Sequence, residues 1–236
     1  MAFTKGTAVV TSGIRTTTYG LVIHSGTIAG DLLVLINTNR DATTDPTVTD
    51  DDTGGNTWTK IANQNANTNG ALTIWAKYAT SGTASKTVTS ASNTGSCSGV
   101  VMGYRGALVA SPITGAFGTP VGESNAGADE SQAGITTGAA GSMVIHAIGV
   151  TSNDTLAPGN RTATDPATIT EDGEGISTGG SDCSASLAST ERTAAGATGT
   201  ISWAMTDGTG ASIAVELFVA AVTNANGYYD SSGGWW

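Results

Sequence analysis

The densest group of side chains able to do chemistry is the acidic segment from Asp41 to Asn56, DATTDPTVTDDDTGGN. Asp50, Asp52 and Asn56 stand at the alternate spacing that lets oxygens converge on a hard cation such as Ca²⁺, with Asp45 nearby. The match to a calcium-binding helix–loop motif ends there, because Gly54 takes a ligand position and no Glu closes the loop. The plainer reading is a solvated hairpin loop with an Asx turn ahead of Trp58; Ca²⁺ is the lesser one. A second acidic patch, Glu171-Asp172-Gly173-Glu174, reads as a loop without a partner histidine. Gly95-Ser96-Cys97-Ser98-Gly99 resembles a nucleophile elbow with cysteine in place of serine. That turn works by closing a strand and opening a helix, whereas here the segment leads into a strand, Val100 to Tyr104. His24 and His146 are the only histidines, and His146 shares parity with Val144, Ile148 and Val150, which makes it a packed core residue. Two histidines leave no triad and no zinc cluster. Paired carboxylates remain a route to glycoside hydrolysis, but no spacing in the sequence sets two of them at the required separation. No catalytic residue is assigned, and the expectation is a protein that is not an enzyme.

The other conspicuous segment is the C-terminal NANGYYDSSGGWW, which places Tyr228, Tyr229, Trp235 and Trp236 on a Gly/Ser tether. Each ring offers roughly 150 to 250 Å² of surface to bury. Four such rings left in water would promote aggregation, so residues 223–236 are expected to form an arm that docks on the chain itself or on a partner.

The elements that position these residues read as strands. Ala71 to Ala79, ALTIWAKYA, alternates as a half-buried strand, with Leu72, Ile74, Ala76 and Tyr78 on one face and Thr73, Trp75 and Lys77 on the other. Ser212 to Val219 alternates likewise, with Glu216 marking the outer face. Asp31 to Asn37 and Met143 to Val150 are apolar on both faces and predict central strands. No stretch carries an apolar stripe at helical spacing. About twelve strands are expected, in an all-β antiparallel β-sandwich of jelly-roll type spanning residues 1–222. There is an internal echo: Gly30-Asp31-Leu32-Leu33-Val34 is matched 111 residues later by Gly141-Ser142-Met143-Val144-Ile145, which suggests two pseudo-repeated halves, about 1–113 and 114–222, sharing one core.

Composition excludes several partners. Lys and Arg number 9 against 19 Asp and Glu, a net charge of −10, so no basic patch exists to lie along phosphates or an anionic membrane surface. The N-terminal MAFTKGTAVVTSG lacks the apolar core of a secretory signal, and a soluble protein is expected. Cys97 and Cys183 are expected as two reduced, buried thiols.

Five segments together resemble a widespread family of bacterial and phage β-sandwich proteins. They are Gly30-Asp31-Leu32-Leu33-Val34; Asp52-Thr53-Gly54-Gly55-Asn56-Thr57-Trp58-Thr59; Trp75-Ala76-Lys77-Tyr78-Ala79 with Gly82; Thr87-Val88-Thr89; and Gly103-Tyr104-Arg105-Gly106. The resemblance covers roughly residues 28–113. In phage genomes such proteins resemble virion components, and the resemblance implies no catalytic residue. It implies a capsid decoration or cement protein on the outer shell, assembled in the host cytoplasm. The partners would be the major capsid protein or other virion subunits, in a homo-oligomer read as a trimer, with Tyr228, Tyr229, Trp235 and Trp236 as the partner-binding residues. The alternative is a carbohydrate-binding adhesin of a tail or head fibre, using Trp58, Trp75 or the terminal tryptophans.

Overall fold

The computed structural model describes residues 3–11, 17–40, 44–54, 56–66, 70–91, 95–126, 129–151, 159–177, 183–205 and 209–220. The C-terminal arm, with Tyr228, Tyr229, Trp235 and Trp236, lies outside the described residues. The protein is all-β and antiparallel. Its first strands are β1 (Thr4–Lys5), β2 (Val9–Val10), β3 (Thr18–Val22), β4 (Leu32–Arg40), β5 (Thr47–Asp50), β6 (Thr59–Asn65), β7 (Gly70–Tyr78), β8 (Thr87–Ala91) and β9 (Cys97–Arg105). A 3-10 turn at Ile113–Ala116 precedes β10 (Val121–Ala126), β11 (Asp129–Gln132), β12 (Thr136–Thr137), β13 (Met143–Val150), β14 (Arg161–Thr162) and β15 (Thr168–Ile169). The chain continues through β16 (Glu171–Ser177), β17 (Cys183–Glu191), β18 (Gly196–Ala197), β19 (Ile201–Ala204) and β20 (Thr209–Leu217). More strands are present than the twelve expected, because two-residue strands such as β14 and β18 are too short to show a period.

The first large sheet has the order β1-β9-β4-β7-β6, with β2 also on β9, and a small sheet, β3-β8-β5, accompanies it. The second large sheet is β10-β20-β13-β17-β16, accompanied by β11-β19-β14-β15. Alternation along the central strands shows how the sheets stack. Leu32, Val34 and Ile36 of β4 join one apolar cluster with Met143, Ile145 and Ala147 of β13, so the two large sheets face each other. Leu33 and Leu35, on the opposite face of β4, pack with Tyr19, Leu21 and Val88 of the first small sheet. Val144 and Ala214 pack with Ile201 and Ile169 of the second small sheet.

The contacts between the large sheets repeat under exchange of the halves. β9 meets β17 as β20 meets β7, β16 meets β9 as β6 meets β20, and β2 meets β16 as β10 meets β6, with β4 against β13 at the centre. One chain therefore contains an isologous, two-fold-like interface of the kind a homodimer makes. The sequence echo has a local cause: Gly30 and Gly141, at φ 90° and 80°, form equivalent turns that only glycine adopts cheaply before β4 and β13.

This stacking overturns three sequence expectations. The Ala71 to Ala79 segment is not half-buried, since β7 is covered on one side by the second large sheet and on the other by the first small sheet. Glu216 does not mark an outer face: it is 4% exposed and accepts the backbone N–H of Gly138. The Glu171 patch is not a loop but the start of β16, paired with β17. The expected buried, unbridged state of Cys97 and Cys183 is what the structure has.

Small residues allow the large sheets to approach closely. A Cβ on Gly175 of β16 would lie 2.4 Å from the carbonyl oxygen of Gly99 on β9 and 2.6 Å from Thr11 Oγ1. Gly175→Ala is accordingly expected to lower stability by about 1 kcal/mol, read as a decrease in the urea midpoint at unchanged slope.

Candidate functional site

The acidic loop forms a site, but its cation is a side chain. Asp50 closes β5, Asp52 follows in the turn, and Lys77 projects from β7 on the face it shares with Trp75. Lys77 Nζ donates to Asp50 Oδ2 at 2.7 Å and to Asp52 Oδ2 at 2.9 Å, with the lysine side chain fully buried. Asp52 also accepts from Thr83 Oγ1 at 2.5 Å and from the Gly54 backbone N–H at 2.9 Å. The hydrogen bonds from Lys77 and then Thr83 hold its carboxyl well below the usual carboxylate range. Trp58 Nε1 donates to Asp50 Oδ2 at 2.7 Å, and Asn56 Nδ2 donates to the Tyr78 carbonyl at 3.0 Å.

Asp50, Asp52 and Asn56 are the residues of the lesser, calcium reading; the Asx turn of the plainer one is present, with the Gly54 N–H donating to Asp52 Oδ1. An ammonium occupies the space between the two aspartates, and Asn56 turns to the backbone of β7. Among the described residues no cluster of three His, Cys, Asp or Glu side chains is arranged to hold a metal ion. Sequence parity puts Lys77 on the face of its strand shared with Thr73 and Trp75, opposite Leu72, Ile74, Ala76 and Tyr78. The usable signal was the pair of motifs, Asp50-x-Asp52 and Trp75-x-Lys77, whose opposite charges need each other once both faces of β7 are covered. A cleft of about 310 Å³ opens beside the aspartates, lined by Val48, Thr53, Asn56 and Trp58 among others. Its carboxylates are already committed to Lys77, Thr83 and Trp58.

The other segments behind the family resemblance also close on one another. Asp31, beside Gly30, pairs with Arg105, beside Tyr104, through Nε to Oδ1 at 2.9 Å and Nη2 to Oδ2 at 3.0 Å. This bidentate pair joins the start of β4 to the end of β9, neighbours in the first large sheet. Of the proposed sugar platforms, Trp58 is 9% exposed, and Trp75 is half-buried with its Nε1 donating to Thr73 Oγ1 at 3.0 Å.

The second half carries a different polar core. His146 occupies the β13 position that Leu35 holds in β4, facing the second small sheet, with its ring centroid 5.1 Å from that of Trp203. Gln132 Nε2 donates to the Val121 carbonyl, which turns Gln132 Oε1 toward His146 Nε2 at 2.8 Å. That geometry puts the imidazole proton on Nε2 and leaves Nδ1 as a buried acceptor with no partner. Arg161, fully buried, donates to Ser186 Oγ at 2.7 Å and lies 3.7 Å from Glu171. Burial, and then the charge of Arg161, drive the His146 pKa well below 6.5. His146 is thus a packed core residue as expected, and the Cys97 segment leads into β9, which begins at Cys97, as its sequence predicts. No protein-family model matches this chain, and neither a curated protein nor a solved structure does.

Proposed function

We propose that this chain is a non-enzymatic structural protein of a phage virion, a capsid decoration or cement protein on the outer shell. The observation that carries the reading is the use to which its chemical groups are put. Lys5, Lys60, Lys77, Arg105, Arg161 and Arg192 are each paired with an acid of the same chain. Side chains of the motif segments tie strands together, and Asp50, Asp52 and Asn56, which border a cleft, are already hydrogen-bonded within the chain. Such a molecule invests its polar residues in rigidity, which is what a shell component needs. The strand orders favour the same reading. β2-β9-β4-β7 facing β3-β8-β5, and β10-β20-β13-β17 facing β11-β19-β14, each follow a jelly-roll path in which β6 or β16 has moved beside its hairpin partner. Jelly rolls recur in viral capsid proteins and in lectins, so this likeness is one of fold.

Many weak contacts spread over several shell subunits suit a trimeric cement protein, with the C-terminal aromatics as a concentrated anchor. The adhesin reading is the weaker one, because Trp58 is 9% exposed and Trp75 is half-buried with its indole N–H bonded to Thr73. The test is cryo-electron microscopy of particles carrying the full chain, with co-sedimentation of purified protein and empty shells. Density for the four-layer fold on the outer surface is the expected result, with binding reduced at least tenfold when Trp235 and Trp236 are replaced by Ser. A monomer that never sediments with shells would end the proposal.

A further inference from the structure

Glu216 brings a buried carboxylate to a place where the first half of the chain has no side chain at all. In the register of the central strands Glu216 stands opposite Val144 of β13, and its counterpart, opposite Leu33 of β4, is Gly103. The turns beside them are equivalent as well. The Gly118 N–H donates to the Glu216 carbonyl at 2.9 Å as the Gly6 N–H donates to the Gly103 carbonyl at 2.8 Å. Each half opens a recess at this place. The first, of about 200 Å³, is lined by Gly103 together with Lys5, His24, Asp31 and Arg105. The second, of about 360 Å³, is lined by Gly118, Thr119, Ile135 and Thr136, with Glu216 as its one charged side chain. Its size is that of a small-molecule site.

Glu216 is buried, and both of its oxygens receive the same donor, the Gly138 N–H, at 3.0 and 2.9 Å. A carboxylate has about four acceptor positions, and a buried one is ordinarily paired with a cation. Among the described residues Lys5, Lys60, Lys77, Arg105, Arg161 and Arg192 are paired with other acids, and no cation pairs with Glu216. Space remains beside Oε2. A Cβ on Gly118 would lie 3.4 Å from that oxygen and one on Gly138 3.9 Å. Neither glycine has a positive φ, so the backbone does not demand glycine at either position, and their missing side chains keep the approach open.

We propose that this recess binds a primary ammonium group, seated against Oε2 of Glu216, with the exposed Thr119 and Thr136 supplying hydroxyl acceptors at its rim. An ammonium carries three N–H donors and no acceptor, which suits a carboxylate ringed by hydroxyls. A divalent metal ion would be short of ligands, because no second acid lines the recess. The ammonium comes either from a free alkylamine or from a lysine side chain of a partner chain. The inference goes beyond the virion reading and does not depend on it.

The experiment follows the backbone amide signals of Gly118 and Gly138 by NMR in the full chain at low ionic strength. The probes are n-butylammonium, which reproduces the end of a lysine side chain, and tetramethylammonium, a cation without N–H donors. n-Butylammonium should move the Gly138 signal saturably, with a dissociation constant of about 1 mM, and tetramethylammonium should not. Glu216→Gln keeps an oxygen for the Gly138 N–H but removes the charge, and it should weaken binding about tenfold or more. Gly138→Val leaves the carboxylate in place and fills the opening beside it, and the Gly118 signal should then no longer respond. Binding of Nα-acetyl-lysine methylamide as tight as that of n-butylammonium would identify a chain-borne lysine as the source. Binding of 1,4-diaminobutane with exclusion of the lysine derivative would identify a free amine. A wild-type Gly138 signal that stays still, or that moves equally with tetramethylammonium, would overturn the proposal, and that comparison depends on no variant folding. Undiminished binding by Glu216→Gln would overturn the role given to Glu216.

Discussion

Replacing Ile145 by Asp is expected to unfold both halves of the chain together. Ile145 is fully buried in the cluster that joins the large sheets, on β13, which meets β4 at the centre of the two-fold-like interface. A carboxylate there has no cation within the cluster to pair with, and burying an unpaired charge costs several kcal/mol, comparable with the whole stability of a domain, about 5 to 15 kcal/mol. The more informative question is how far the damage extends. Neither half can keep its large sheet covered alone, because the inner face of each is the other's cover. The tryptophans separate the outcomes: Trp58 and Trp75 report the first half and Trp203 the second. In a background with Trp235 and Trp236 changed to Phe, both sets of indoles should shift to solvent-exposed emission, with one coincident urea transition in the parent. Native-like emission from Trp58 and Trp75 in the Ile145→Asp protein would show that the first half stands alone and that the shared core couples the halves weakly.

The strands most legible in the sequence were those buried on both faces. Met143 to Val150 matches β13 residue for residue, since a continuous apolar run of eight is what a twice-covered strand requires. The same burial misled where the second face is small or polar. In β20 Ser212, Ala214 and Glu216 alternate with Ile213, Val215 and Leu217 and look like a solvent face. They are covered instead by the second small sheet and the Gly138 turn, with Glu216 using a backbone N–H to offset its burial. The Thr73, Trp75 and Lys77 face of β7 is covered in the same way, by the first small sheet. Parity tells which residues share a face but not whether a further layer lies beyond it, and the short strands that make those layers carry almost no periodic signal. The acidic loop carries the Asx turn that its sequence predicts, the Gly54 N–H donating to Asp52 Oδ1. Its cation was hidden 25 residues away in sequence, at a position whose charge signalled solvent.

The divergence of the two halves gives the second strong expectation, and the first half supplies the substitution. His146→Leu puts at β13 the residue its counterpart β4 carries at Leu35, and it should remove most of the acid sensitivity of folding between pH 7.5 and pH 5. His146 is neutral in the folded state, because burial and then the neighbouring charge of Arg161 depress its pKa well below 6.5, while in the unfolded chain it protonates near 6.5. The unfolded state therefore binds more protons as pH falls, so the stability this group contributes is present above about 6.5 and is lost below it. The slope is at most about 1.4 kcal/mol for each pH unit, close to 2 kcal/mol between pH 6.5 and pH 5. Leucine deletes that term. It also deprives Gln132 Oε1 of its donor, a cost of about 1 to 3 kcal/mol that does not vary with pH. The two effects separate in urea titrations at pH 7.5 and pH 5. The His146→Leu protein should be the less stable at the higher pH and should lose about 2 kcal/mol less on acidification. Parallel losses in both proteins would mean that His146 already carries its proton in the folded state, and that the charge of Arg161 is held by its own partners Glu171 and Ser186 too firmly to exclude a second cation from the core.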